Sequence, residues 1–272
     1  MTDSAGIDWE DAFSNAAYIP DGMSFPEIWT ARAAEFRART SNQLDISYGE
    51  NPREKFDLFF PTGLQKGLAV FVHGGYWLDF DKSSWSDLAE GALKHGWTVA
   101  IPSYPLAPEV KIPEITRRIA GAISAAAKRI EGPIRLVGHS AGGHLVTRMV
   151  CENSALPAEV AARIQRVVSI SGVHDLRPLL LHSMNQRLGL NSDCAVEESP
   201  ALCLPISNIE LVAWVGALER PEFLRQSALL TEAWGRKGLR TRLVADPARH
   251  HFDVVDGLKV ENHPLTLAFA GN

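Results

Sequence analysis

The sequence predicts an α/β protein, one mostly parallel sheet of about eight strands with helices on both faces. Three observations predict it. Short apolar runs recur along the chain, segments of helical period separate them, and 272 residues at 46% hydrophobic suffice to bury both faces of such a sheet as a single domain. The runs are continuous rather than alternating, as strands covered on both sides require.

In chain order, residues 1–41 read as a helical N-terminal extension, with a helix at about 25–39. Residues 43–48 alternate polar and apolar, the pattern of a half-exposed strand. Asn51-Pro52-Arg53 supplies a turn, and residues 55–60 form a second strand closed by Pro61, so this pair suits an antiparallel edge. Continuous runs follow at 68–72, 97–101, 134–137, 167–170 and 211–215, with a weaker one at 239–245. Helical segments lie between them at 84–94, 113–130, 142–151 and 221–234. Ser84-Trp-Ser-Asp87 has the form of a capping box for the first of these. Strand, helix, strand in this rhythm implies right-handed crossovers.

Residues 176–205 break the rhythm. They separate two strands without a clean helical repeat and carry Pro178, Gly189, Pro200 and Pro205. Irregular segments of roughly 30 residues inside a domain are usually functional, so this one is expected to be a cap-like insertion over the site.

Composition narrows the partners. The 27 basic and 32 acidic residues leave a net charge of −5, and the basic residues form no stripe, which argues against nucleic acid and anionic membrane. A small-molecule substrate is expected instead, with a homodimer the one assembly left open. Cys151, Cys194 and Cys203 are odd in number and lack CxxC spacing, so neither a disulfide framework nor a zinc site is expected. With an acidic start lacking an apolar core and no long apolar stretch, the expected location is the cytoplasm.

Chemistry first shows at Gly138-His139-Ser140-Ala141-Gly142, which matches G-x-S-x-G. A bare five-residue match recurs by chance. Here an apolar strand runs into it and a helix runs out, the context of a nucleophile on a sharp strand-to-helix turn in the α/β-hydrolase fold. Small residues must flank such a turn, and Gly138, Ala141, Gly142 and Gly143 do. A helix N-terminus at Ser140 also aims N–H groups at charge developing on a substrate oxygen.

That fold takes a second oxyanion donor from the loop after its third strand, where the chain reads His73-Gly74-Gly75-Tyr76-Trp77. Gly74 or Gly75, together with the N–H of Ala141, is assigned that role. The triad of the fold runs in the order Ser, acid, His. His73, His139 and His144 come too early, His95 sits at a helix end, and His174 and His182 precede the acid region. His250 and His251 follow the last strand closely, His263 lies in the tail, and spacing does not separate the first two. For the acid, Glu219 stands nearest the end of the seventh strand. Glu222 falls in a helical first turn, where the helix dipole already explains it, and Asp175 after the sixth strand is the outside candidate.

These pieces resemble the kynurenine formamidases (arylformamidases) of the α/β-hydrolase superfamily and related bacterial esterases. The resemblance rests on His73-Gly-Gly-Tyr-Trp77, Gly138-His-Ser-Ala-Gly-Gly-His144, Ser171-Gly-Val-His-Asp-Leu-Arg-Pro-Leu179, Glu219-Arg-Pro-Glu-Phe223 and His251-Phe-Asp253, in the family's order over about 43–258. It implies Ser140 as nucleophile, Glu219 as acid and His251 as base. One departure is the glutamate, where formamidases often carry aspartate; a carboxylate one methylene longer still orients a histidine. The implied reaction is transfer of a small acyl group, formyl first, from an aryl amide such as N-formylkynurenine to Ser140 and then to water, with no cofactor or metal. Tyr76 and Trp77 are expected to wall the aryl group, with His144, Asn185 and the cap closing the pocket. Two rivals are a short-chain carboxylesterase with the same triad and a ligand-binding protein without turnover.

Overall fold

The computed structural model describes residues 6–271. Eight strands form one sheet: β1 (Asn42–Ser47), β2 (Lys55–Phe59), β3 (Gly67–Val72), β4 (Trp97–Pro102), β5 (Ile134–His139), β6 (Ile164–Ile170), β7 (Glu210–Gly216) and β8 (Arg240–Asp246). Their spatial order is β1-β2-β4-β3-β5-β6-β7-β8. Only β1 with β2 and β2 with β4 pair antiparallel; every pair from β4 to β8 is parallel. The helices are α1 (Trp9–Ala12), α2 (Phe25–Arg39), α3 (Glu90–Lys94), α4 (Ile112–Ala127), α5 (Ala141–Arg148), α6 (Ala158–Ala161), α7 (Asn185–Leu188), α8 (Ser192–Glu197), α9 (Pro221–Gly235) and α10 (Pro264–Ala270). None of them is long and apolar enough to cross a membrane.

The continuous apolar runs are explained by two cores, one on each face. Along β3, Leu68, Val70 and Val72 enter one core and Ala69 and Phe71 the other, the alternation of a pleated strand. The first core takes α4, whose Ile112, Ile115, Ile119 and Ile123 recur at helical spacing, together with α9 through Phe223 and Trp234. The second takes α2 through Trp29 and Phe36 and α10 through Leu265 and Phe269.

Two local expectations need correction. Residues 84–94 are not one helix: short 3₁₀ turns at Lys82–Ser84 and Ser86–Ala89 precede α3. The side chain that caps there is Asp81, accepting from Ser83 N at 2.7 Å, rather than Ser84. The second correction concerns what covers the site. Residues 176–205 fold into short turns and helices beside the sheet and contribute nothing to the cleft at Ser140. The N-terminal segment covers it instead. Trp9 and Phe13 belong to the first core and Trp29 to the second, so the chain between them crosses from layer to layer, and Ala16, Gly22, Met23 and Pro26 line the cleft on the way.

Candidate active site

Ser140 stands between β5 and α5 with φ 55° and ψ −119°, a conformation that costs a non-glycine residue about 1–3 kcal/mol and survives only where its surroundings enforce it. Close packing enforces it here. A Cβ on Gly142 would lie 2.0 Å from Val72 O, and one on Gly138 would lie 2.1 Å from Gly142 O, so the turn closes this tightly only with glycine at both places. Ser140 N donates to Ile170 O at 2.8 Å, pinning the turn to the neighbouring strand.

The loop after β7 and the loop after β8 are stitched together by Ala217 N to Asp246 O at 2.8 Å and Leu218 N to Arg249 O at 3.0 Å. This places Glu219 Oε2 2.6 Å from His251 Nδ1. The other carboxylate oxygen of Glu219 accepts from Gly216 N at 2.7 Å and from the Ser171 hydroxyl, so both oxygens are fixed. The His251 ring packs against Phe223 and His139, with centroids 4.3 and 4.6 Å apart, and lines the same cleft as Ser140.

The candidates that spacing left open separate in space. His250 Nδ1 accepts from Phe252 N and Asp253 N, and its ring meets Phe25 edge-on. Glu222 is paired with Arg225 and bonded to Gln226, and Asp175 is paired with Arg177. None of the three lines the cleft. His139 bonds through Nε2 to His251 O at 2.9 Å, and burial, aided by nearby His251, pushes its pKa well below the ordinary value, so the ring is neutral and donates this bond.

The loop after β3 is held from behind. His73, lowered to about 4 by burial and therefore neutral, stacks on Tyr104 with centroids 4.4 Å apart and bonds through Nδ1 to Gly74 O at 2.7 Å. Because C=O and N–H point opposite ways across a trans peptide, this bond turns the Gly75 N–H away from His73. Gly74 itself packs against Ser140: a Cβ there would lie 2.9 Å from both Ser140 Cβ and His139 O. Gly75 lines the cleft and takes φ +107°.

Tyr76 and Trp77 both adopt left-handed backbone, φ 53° and 60°, in a turn closed by Leu78 N and Asp79 N on Gly75 O. That turn sends the two rings in different directions. Tyr76 lines the cleft and its hydroxyl donates to Phe13 O and accepts from Asn15 Nδ2, tying this loop to the N-terminal segment. Trp77 is fully buried and meets His144 edge-on at 5.1 Å. Three expected pocket residues therefore lie elsewhere. Trp77 is core; His144 is buried beneath it and bonded to Glu198 O at 2.7 Å; Asn185 closes the end of its own short helix through Leu190 N at 2.8 Å and Leu190 O at 3.1 Å.

The aromatic wall comes from residues that spacing did not flag: Trp29, Phe80, Trp85 and Phe252 join Tyr76 around a cleft of about 290 Å³. Apart from the two histidines, Asp79 is the one acidic or basic residue among those lining it. A larger groove of about 670 Å³ beside Phe36, Arg39 and Lys94 is lined by neither Ser140 nor His251. The N-terminal segment is also fastened near Glu219, where Arg220 pairs with Asp11 and lies 3.7 Å from the centre of the Tyr18 ring.

Comparison with known proteins agrees with this architecture. Residues 69–199 match a family model described as the alpha/beta hydrolase fold. A provisionally named thioesterase from Silicibacter sp. TM1040 superposes with a TM-score of 0.93 at 48% identity, over 97% of this chain and 99% of that one. Kynurenine formamidases of Danio rerio and Salmo salar are 28% and 29% identical over 95% of this chain and 90% of theirs. The near-complete match to the Silicibacter structure, together with the family model and the shared sheet, shows that this chain belongs to the α/β-hydrolase family and is a hydrolase.

Proposed function

We propose that the chain removes a small acyl group, formyl foremost, from an aryl amide such as N-formylkynurenine. Ser140 attacks the acyl carbon as His251 takes its proton, and Glu219 holds the imidazole tautomer through the 2.6 Å bond to Nδ1. The N–H groups of Gly75 and Ala141 receive the oxyanion. His251 then protonates the departing arylamine, and water repeats the cycle on the acyl-serine.

The observation that carries the reading is the cleft: small, walled by five aromatic rings, and open to Ser140 and His251 together. A volume of about 290 Å³ at the low end of small-molecule sites suits a single aromatic ring beside a one-carbon acyl group. The formamidase relatives, matched along most of their length, support it. A second reading, hydrolysis of short acyl esters or thioesters, uses the same groups and is favoured by the name of the Silicibacter neighbour.

Covalent labelling tests the site. A fluorophosphonate should modify the Ser140 peptide alone, and N-formylkynurenine should protect it. Labelling that N-formylkynurenine leaves unchanged would contradict the substrate, and no labelling of Ser140 would contradict the mechanism.

A further inference from the structure

We propose that Cys203 and Cys151 form a peroxide-reactive dithiol that closes reversibly to a disulfide, a modification site separate from the cleft at Ser140. The two residues lie 52 positions apart, yet the fold holds their segments side by side. Glu152 N donates to Leu204 O at 2.9 Å, Ile206 N donates to Val150 O at 2.8 Å, and Cys151 bridges Pro205 between them. Cys151 Sγ donates to Thr147 O at 3.5 Å and Cys203 Sγ to Glu197 O at 3.4 Å, and the two thiols stand close enough to shift each other's protonation.

Their surroundings divide the labour. Cys203 is partly exposed and Cys151 is buried. Arg148 Nη1 stands 3.5 Å from Cys203 Sγ, and Lys237 Nζ donates to the Cys203 carbonyl at 2.6 Å, so one cation faces this sulfur and a second is held on the same residue's backbone. Glu198 opposes them, but it is itself bonded to Arg148, at 3.2 Å from Nε. Neighbouring Cys151 and the charge of Arg148 lower the Cys203 thiol below its ordinary value, while neighbouring Cys203 and burial push Cys151 up, so that it keeps its proton. A low-lying, accessible thiolate beside a protonated resolving thiol is the arrangement that peroxide chemistry selects. Cys194, on α8, is raised by burial and by neighbouring carboxylates, which makes it an internal control.

The chemistry balances with hydrogen peroxide as the named oxidant. The Cys203 thiolate attacks one peroxide oxygen; an S–O bond forms, the O–O bond breaks, and the leaving hydroxide takes a proton to become water. The sulfur is oxidised to a sulfenic acid. Cys151 sulfur then attacks Cys203 sulfur, the S–O bond breaks, and a second water leaves with the Cys151 proton. Two thiols and one peroxide give one disulfide and two waters, and an added dithiol reverses the change.

The test treats the intact protein with stoichiometric hydrogen peroxide near neutral pH, followed by thiol titration and peptide mapping. Two of the three thiols should disappear, a linked pair containing Cys151 and Cys203 should form and vanish on reduction, and Cys203 should react roughly tenfold faster than Cys194 or more. In Cys151→Ser, dimedone should trap the sulfenic acid on Cys203; in Cys203→Ser, Cys151 should stay reduced. Persistence of all three thiols, or oxidation of Cys194 ahead of Cys203, would overturn the proposal. The mapping needs no variant, so a folding defect in either would leave the result decisive.

Discussion

Replacing Gly74 by alanine tests the oxyanion assignment with the least chemical change. The added Cβ would sit 2.9 Å from Ser140 Cβ and 2.9 Å from His139 O, where ordinary contact begins at 3.4 Å, so the two sides must part by about 0.5 Å. Both opposing atoms belong to the tightly packed strand-to-helix turn, and the loop bearing Gly74 is the side able to yield. It carries the Gly75 N–H with it, away from the oxygen it should receive. Loss of one oxyanion donor costs about 10²–10³ in kcat, or about 3–4 kcal/mol of transition-state stabilisation. Gly74 φ is not in the left-handed region, so alanine adds no backbone strain and the fold should persist. Steady-state kinetics on a formyl anilide and a short ester, with thermal melting as the folding control, should show kcat reduced about 10²-fold or more on both substrates and a melting point close to that of the parent. Activity close to the parent level would refute the placement of the oxyanion beside Gly74 and Gly75.

Other predictions follow from the same geometry. Glu219→Gln should lower kcat by about 10³–10⁴ yet leave measurable turnover, because it disturbs the tautomer of His251 without removing the base; loss as complete as in Ser140→Ala would contradict that role. His250→Ala should leave kinetics close to the parent, since His250 faces Phe25 and Asp253, and a loss equal to that of His251→Ala would overturn the assignment of the base. Asp79→Asn should raise KM severalfold for aryl formamides bearing a cation and leave neutral formanilide unchanged, a rim-charge effect of about 0.2–1 kcal/mol; equal effects on both would show that Asp79 acts otherwise. Acid should unfold the protein early. Burial lowers His73 and His144 to about 4 and His174 to about 3, so below pH 6.5 the unfolded chain takes up protons that the folded one refuses. Stability is therefore full above about pH 6.5 and falls as pH drops toward 4, each of these histidines withdrawing about 2 kcal/mol by pH 5. Urea denaturation at pH 7.5 and pH 5 would measure this, and equal stabilities would contradict it.

The features legible in the sequence are those with a short-range signature. Strands covered on both faces announce themselves as continuous apolar runs, and the nucleophile turn needs glycine where backbones touch, as at Gly138 and Gly142. The chain order of serine, acid and histidine follows from the sheet's topology, so Glu219 and His251 are legible in the sequence, and the structure places them 2.6 Å apart. What stayed hidden depends on where side chains turn. Tyr76 and Trp77 are neighbours of one type, and only the left-handed turn at both residues sends one ring to the cleft and the other into the core. Trp29, the pair Phe80 and Trp85, and Phe252 come from three distant stretches of the chain and share no helical or strand spacing. The irregular stretch 176–205 suggests a cap because irregularity is its only signal, whereas the N-terminal segment that covers Ser140 has no periodic pattern between α1 and α2 and owes its place to Trp9 and Phe13 on one face and Trp29 on the other. Ser171, whose hydroxyl holds Glu219, carries no chemical signature of its own within Ser171-Gly-Val-His-Asp; its place just after β6, beside the strand that leads to Glu219, is the one clue in the sequence.

The central claim concerns which bond is cut, and the ratio of kcat/KM for N-formylkynurenine to that for p-nitrophenyl butyrate tests it most directly. An aromatic cleft with room for a one-carbon acyl group beside Ser140 predicts a ratio well above one, with both activities abolished in Ser140→Ala. Fast butyrate cleavage without formamide turnover would contradict it.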